Sequence, residues 1–221
     1  MEPEDNAPKE ALLAEFSRLA KALAAPSRLE LVDLLAQGER GVEDLARATG
    51  LRLSNASAQL QILASAGVVA RRRSGAHVYY RLADPRIAPL VEQLKLLACD
   101  LLPAAREAAR ALLGDAADLE PVSRADLAAR LAAGDVAVVD VRPGVEYAAA
   151  HIDGALGIPL DELPDRLAEL PDDLEVVAYC RGRYCRMSAR AVRLLHRHGR
   201  AARVLDGGLA EWRAAGLPTA A

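Results

Sequence analysis

Aromatic residues are almost missing from this sequence: five Tyr, one Trp and one Phe stand among 221 residues. Cores built on ring stacking are excluded, and packing must come mainly from Ala, Leu and Val, which favours helices. Cysteine is nearly as scarce. Three thiols with no repeated CxxC pair argue against a disulfide framework and against a structural zinc site. Long apolar runs are also lacking, and every uncharged stretch falls well short of the roughly 20 residues of a membrane span. The acidic opening MEPEDNAPKE lacks the charged-then-apolar order of a secretory signal. These absences point to a cytoplasmic protein without membrane contact, its cysteines mostly reduced, and no cofactor or bound metal is expected. Nor does charge of one sign dominate, since 28 Lys and Arg against 31 Asp and Glu leave a formal net charge of -3. A basic face for nucleic acid must therefore be sought in local distribution rather than in the total.

What is present changes character part-way along the chain. Residues 1–113 carry helical spacing broken by one short alternating pair, GVVARRR and HVYYRL. Pro26-Ser27 marks a helix start, Gly38 and Gly50 mark helix ends, and Ser74-Gly75 closes a hairpin between Arg73 and His77. A long helix is expected from Asp84 to Leu113. Residues 114–120 read as a linker. From 121 to 221 short apolar strands such as VAVVDV and EVVAYC alternate with helices expected at Leu160–Glu169, Met187–His198 and Leu209–Ala215. Buried strands of that kind suit a parallel sheet. The expected fold is multidomain, a mainly α half followed by an α/β half.

In the first half, GVEDLARATGLRLSNASAQLQILASAGVV has the spacing of a helix-turn-helix, with a first helix over Val42–Thr49 and Gly50 making the turn. Leu45, Leu53, Leu60 and Leu63 form its buried seam. Ser54, Asn55, Ser57, Gln59 and Gln61 then face outward, side chains suited to base edges and phosphates. ARRRSGAHVYYRL reads as a wing whose Arg71, Arg72 and Arg73 attract phosphate, with His77 and Tyr79 on its second strand. The alternative is a helical bundle with one solvated polar helix. From about residue 11 to 105 the order of these motifs resembles the ArsR family of winged helix-turn-helix repressors. That resemblance implies a homodimer on double-stranded operator DNA, with the first helix and the helix after Asp84 at the dimer contact. Gly41 and Glu43 stand where arsenic-sensing relatives place cysteines, so thiolates cannot hold a metalloid there. The Asp and His pairs of zinc-sensing relatives are missing as well. Cys99 reads as a packing residue, with a redox thiol as the alternative.

In the second half, EVVAYC delivers Cys180 to a strand end, and RGRYCR must curl back before the helix MSARAVRLLHRHG. A loop of this kind stabilises an anion through its N–H groups and through Arg181, Arg183 and Arg186, so Cys180 is expected to be acidic and nucleophilic. VVDVRPGVEYAAAHIDGALGIPLDEL and VLDGGLAEWRAAGLP complete a pattern that resembles the rhodanese domain over about residues 119–219. The resemblance implies that Cys180 takes a sulfane sulfur as a persulfide from a donor and hands it to a thiol acceptor or to cyanide, a sulfurtransferase chemistry. It also brings Asp140, Arg142, Glu146 and His151 into its first motif, Asp140 and Arg142 mainly as a salt bridge and His151 as a turn residue. Cys185 makes a CX4C loop, either as a space-filling thiol or as a resolving thiol that attacks a Cys180 persulfide. Read as CX5R from Cys180 to Arg186, the loop also matches the spacing of cysteine phosphatases and arsenate reductases, although no His precedes Cys180. Metal capture by two thiols of one tight loop would be incomplete. The function expected is a transcriptional regulator with a sulfur-accepting domain, or a sulfurtransferase with uncoupled DNA binding.

Overall fold

A computed structural model of the chain describes residues 6–114 and 119–221. Most of the expected linker, residues 115–118, lies outside the described residues. The chain divides into two compact units, Met1–Glu92 and Gln93–Ala221.

In the first unit α1 (Ala7–Leu23) leads to α2 (Pro26–Leu35), which begins on Pro26 because a fixed φ and a missing N–H cost nothing in a first turn. After the two-residue β1 (Arg40–Gly41), α3 (Val42–Thr49) ends at Gly50 with φ 68, a left-handed turn that glycine adopts without strain. That turn starts α4 (Leu53–Ser65), and β2 (Val69–Ser74) and β3 (His77–Leu82) follow as an antiparallel wing with β1 beside β3. Ser74 pairs with His77, so Gly75-Ala76 rather than Ser74-Gly75 makes the two-residue turn. Leu45, Leu60 and Leu63 are fully buried with Leu31 and Val32, and truncating one of these leucines to Ala costs about 2–5 kcal/mol. Leu53, expected in the same seam, is 50% exposed, because it occupies the first turn of α4 where the chain has just left the turn.

The helix expected from Asp84 to Leu113 is two helices, α5 (Ile87–Leu101) and α6 (Pro103–Leu113). Leu102 between them is extended at φ -110 and ψ 108, the conformation that a following proline imposes.

The rest of the second unit opens on α7 (Arg124–Ala133), whose Ser123 side chain accepts the Asp126 amide at 3.1 Å. Then come β4 (Val136–Asp140), α8 (Gly144–Ala149), β5 (His151–Ile152), β6 (Leu156–Gly157) and β7 (Glu175–Tyr179). α9 (Met187–Arg197), β8 (Ala202–Val204), α10 (Leu209–Ala214) and β9 (Thr219–Ala220) complete it. The main sheet is parallel throughout, in the order β6-β4-β7-β8. Alternation along β7 sends Val176, Ala178 and Cys180 into a core with α9, and Val177 and Tyr179 into a second core with Ile152 and Trp212. The helix expected over Leu160–Glu169 is instead two 3-10 turns, Leu163–Asp165 and Leu167–Glu169. Pro164 lacks the amide and carries the ring that a continuous α-helix there could not accommodate.

Candidate functional site

The loop from Cys180 to Arg186 is held from three sides. At its start the carbonyls of Cys180 and Arg181 accept the amides of Leu209 and Ala210 at 3.0 and 3.1 Å, so the first turn of α10 is tied to the loop. Glu211, three residues after Gly208, accepts the Gly208 amide at 2.8 Å on one carboxylate oxygen and the Arg183 amide at 3.0 Å on the other. Gly208 must be glycine, since a Cβ there would lie 2.6 Å from the amide nitrogen of Gly182. The Arg181 guanidinium grips the buried Glu146 carboxylate of α8 through Nε at 3.0 and 3.1 Å and Nη2 at 2.6 Å. Arg183 pairs with Asp206 at 3.0 Å. Arg186, at the start of α9, is exposed.

Within this frame the two thiols have opposite environments. Cys180 is 0% exposed, with Sγ 3.2 Å from Ser188 Oγ and donating toward the Cys185 carbonyl at 3.4 Å. Burial pushes its thiol well above the ordinary value, and the neighbouring Cys185 adds to the rise. Cys185 is half-buried and is lowered to about 6, first by its hydrogen bond from Cys180, then by the Met187 and Arg181 amides and the Arg181 charge, which together outweigh burial. Cys180 was expected to be acidic, and burial works against that expectation.

Asp140 and Arg142 pair at 2.5 Å with both side chains fully buried, and Arg142 also donates to the Ala150 carbonyl at 2.7 Å. Tyr179 donates to Asp140 at 2.6 Å and accepts the Ile152 amide at 2.9 Å, so the pair fixes the α8–β5 connection to the sheet. His151 stacks on Tyr147 with ring centroids 3.9 Å apart, its Nδ1 2.9 Å from the Tyr147 carbonyl oxygen. Three contributors escape a reading of the sequence: Ser188, Glu211 and Gly208. Glu211 had a usable signal, since Gly208 followed by Glu at the third helical position is a capping spacing.

On the first unit α4 exposes Ser54, Asn55 and Gln61, while Ser57 and Gln59 are half-buried. Arg28 of α2, which the sequence did not single out, donates to Gln59 Oε1 at 2.8 Å and to the carbonyls of Ala22 and Lys21 at 2.5 and 3.0 Å. Gln59 in turn donates to Asn55 at 3.2 Å. This chain of bonds sets α4 against the end of α1. On the wing Arg71, Arg72, Arg73 and His77 are exposed and Tyr79 is half-buried. Arg72 pairs with Glu39 at 2.5 Å and lies 5.0 Å over the Tyr79 ring, and Arg73 donates to the Gly75 carbonyl at 3.1 Å. Cys99 is half-buried on α5.

The pattern of bacterial regulatory proteins of the arsR family matches residues 25–71, and that of the rhodanese-like domain matches residues 123–215. The HTH-type transcriptional regulator Rv0324 of Mycobacterium tuberculosis is 50% identical over 210 residues, covering 95% of this chain and 92% of that protein. The chain belongs to the ArsR family. This ArsR-family transcriptional regulator carries its rhodanese-like domain C-terminal to the winged helix-turn-helix. A biofilm growth-associated repressor of Agrobacterium fabrum is 41% identical over 85 residues, 38% of the ArsR-family chain and 73% of its own length. Among solved structures, a homodimeric winged helix-turn-helix DNA-binding domain from Mycobacterium bovis is 45% identical, covers 46% of this chain and 92% of that one, and has a TM-score of 0.41. A rhodanese-related protein from Thermoplasma volcanium is 27% identical and covers 45% and 96% of the two chains, with a TM-score of 0.41. Among the described residues of the ArsR-family chain no helix is long and apolar enough to cross a membrane.

Proposed function

We propose that this ArsR-family regulator is a cytoplasmic, homodimeric repressor that responds to sulfane sulfur through its rhodanese domain. In this reading Cys180 holds the sulfur as a persulfide and the winged helix-turn-helix releases operator DNA. The observation that carries it is the placement of two thiols in one stitched loop, the Cys180 thiol donating to the Cys185 carbonyl at 3.4 Å and Cys185 lowered to about 6. A persulfide on Cys180 has an outlet inside the loop. The Cys185 thiolate attacks the Cys180 sulfur, a Cys180–Cys185 disulfide closes, and the outer sulfur leaves as hydrosulfide. Thiosulfate or a polysulfide suits the role of donor, and a small thiol that of acceptor.

The rest of the reading draws on the first unit. Ser54, Asn55 and Gln61 offer hydroxyl and amide groups to base edges, and the wing arginines add phosphate attraction. Leu12, Phe16 and Leu19 on α1, and Leu90, Leu94, Leu97 and Leu101 on α5, are exposed in helical register, which supports a second copy of the chain as their cover. Repression follows the name of the Agrobacterium relative.

The test measures operator affinity of the full chain by anisotropy before and after treatment with thiosulfate, with intact mass read on the same samples. Gain of one sulfur atom, or loss of two hydrogens, accompanied by weaker binding supports the proposal. Modification with unchanged affinity would instead leave a sulfurtransferase beside an uncoupled DNA reader.

A further inference from the structure

The two amide side chains Asn55 and Gln59 of α4 are not equivalent. Arg28 is half-buried and held at three nitrogens. Nε and Nη2 donate to the carbonyls of Ala22 and Lys21 at 2.5 and 3.0 Å, and Nη1 donates to Gln59 Oε1 at 2.8 Å. A guanidinium keeps its charge and has no acceptor. The Gln59 amide therefore has one orientation, because turning it over would set its NH2 group against a donor. Its Nε2 then faces Asn55 and donates to Asn55 Oδ1 at 3.2 Å, the i,i+4 pairing of amides on one helix face. Asn55 is oriented in turn, with its oxygen toward Gln59 and its Nδ2 hydrogens left for a ligand. Gln59 is half-buried with both ends of its amide engaged, whereas Asn55 is exposed. Asn55 is also the third residue of α4, and the second helix of a helix-turn-helix presents its N-terminal residues to base edges.

We infer that Arg28, acting through Gln59, fixes Asn55 as a hydrogen-bond donor that selects a guanine in the operator. This rests on the DNA reading above and names the base. Adenine asks an amide for an acceptor and a donor side by side, to meet its N6 amino group and N7. The acceptor of Asn55 is turned to Gln59, so that fork is broken. Cytosine presents an amino group, which would meet the Asn55 donors head on, and thymine offers one acceptor beside a methyl group. Guanine offers two neighbouring acceptors, N7 and O6, and matches an NH2 group with two hydrogens to give. Asn55 meets the base, Gln59 relays the orientation, and Arg28 is a positioning residue.

The experiment enriches binding sites for the full-length chain from a random duplex pool and carries the best site into anisotropy. One G·C pair is expected whose preference over A·T falls at least about fivefold in Asn55→Ala, the lower end for a good base contact. Arg28→Met frees Gln59 to turn, so the same preference should fall at least about fivefold, while Arg28→Lys, also donor-only, retains it. Because Arg28→Met can also loosen α2 against α4, one arm uses no substitution. Replacing the guanine by 7-deazaguanine, which lacks the N7 acceptor, should weaken wild type about 3–10-fold. An Asn55-dependent position occupied by an A·T pair overturns the inference, as does an Arg28→Met variant that loses affinity equally for both pairs. Unchanged preferences at every position in Asn55→Ala overturn it too and leave the DNA reading intact. If wild type enriches no sequence, the DNA reading fails and this assignment with it.

Discussion

Arg142→Met removes the guanidinium from a group in which no charged atom reaches water. Asp140 would keep the Tyr179 hydroxyl at 2.6 Å and the residue 142 amide at 3.0 Å, but would lose the guanidinium bonds at 2.9, 3.1 and 2.5 Å. The Ala150 carbonyl would lose its donor at 2.7 Å. Breaking a fully buried pair from one side costs about 3–5 kcal/mol, because the remaining carboxylate is left charged and dry. For a domain of this size that corresponds to a fall of roughly 10–25 °C in the midpoint of thermal unfolding. Trp212, the chain's single tryptophan and 1% exposed, belongs to the core beneath Tyr179, so its fluorescence reports this unit alone in a urea titration. Replacing both partners, Asp140→Leu with Arg142→Met, removes the orphaned charge and is expected to be more stable than Arg142→Met by about 1–3 kcal/mol. A loss under about 1 kcal/mol for Arg142→Met, or a double variant no more stable than the single one, would refute the reasoning.

Gly208→Ala forces a methyl against the amide of Gly182, so it should both lower the urea midpoint of the Trp212 transition and abolish sulfur uptake by intact mass. Arg28→Ala cuts the bond to Gln59 and two carbonyl contacts, and operator affinity at fixed salt should fall about 3–10-fold in anisotropy. Arg71→Gln with Arg73→Gln should reduce the slope of log affinity against log salt by about 2, and an unchanged slope would remove the wing from the phosphate contact. Cys185 is lowered in the folded chain to about 6, so its thiolate stabilises the fold fully above the ordinary thiol value of about 8.5, and that contribution fades as pH falls through about 6. The urea midpoint of wild type minus that of Cys185→Ala should shrink over that window on acidification, and a difference that grows would contradict the assignment.

Much of the fold could be read before any coordinates because its signals are local. Val42–Thr49 ends where Gly50 takes a left-handed turn, and the buried runs of β4 and β7 show the unbroken apolar pattern of strands covered on both faces. The failures also have local causes whose outcome depends on competition. Pro103 and Pro164 each stand inside an apolar helical period, and the proline won both times. Leu53 carries the right spacing but sits one turn too early to be covered. In the candidate site, the residue types and their order were visible, and so was the Asp140–Arg142 pair. The direction of each sulfur was not. How the loop is held was hidden too, because α10 pins it through contacts between distant segments, 28 residues apart in the case of Arg183 and Glu211. Arg28 and Gln59, 31 positions apart, were hidden for the same reason.

The most direct test of the account follows operator affinity and sulfur content together in one sample of the full chain. Protein loaded with sulfur to completion should bind its operator at least about fivefold more weakly than reduced protein, the lower end of common coupling energies, and a thiol reductant should restore binding. The Cys180→Ala, Cys185→Ala double variant should show no change on the same treatment. Equal affinity of the loaded and reduced wild type would contradict the claim that this regulator senses sulfur through its rhodanese domain.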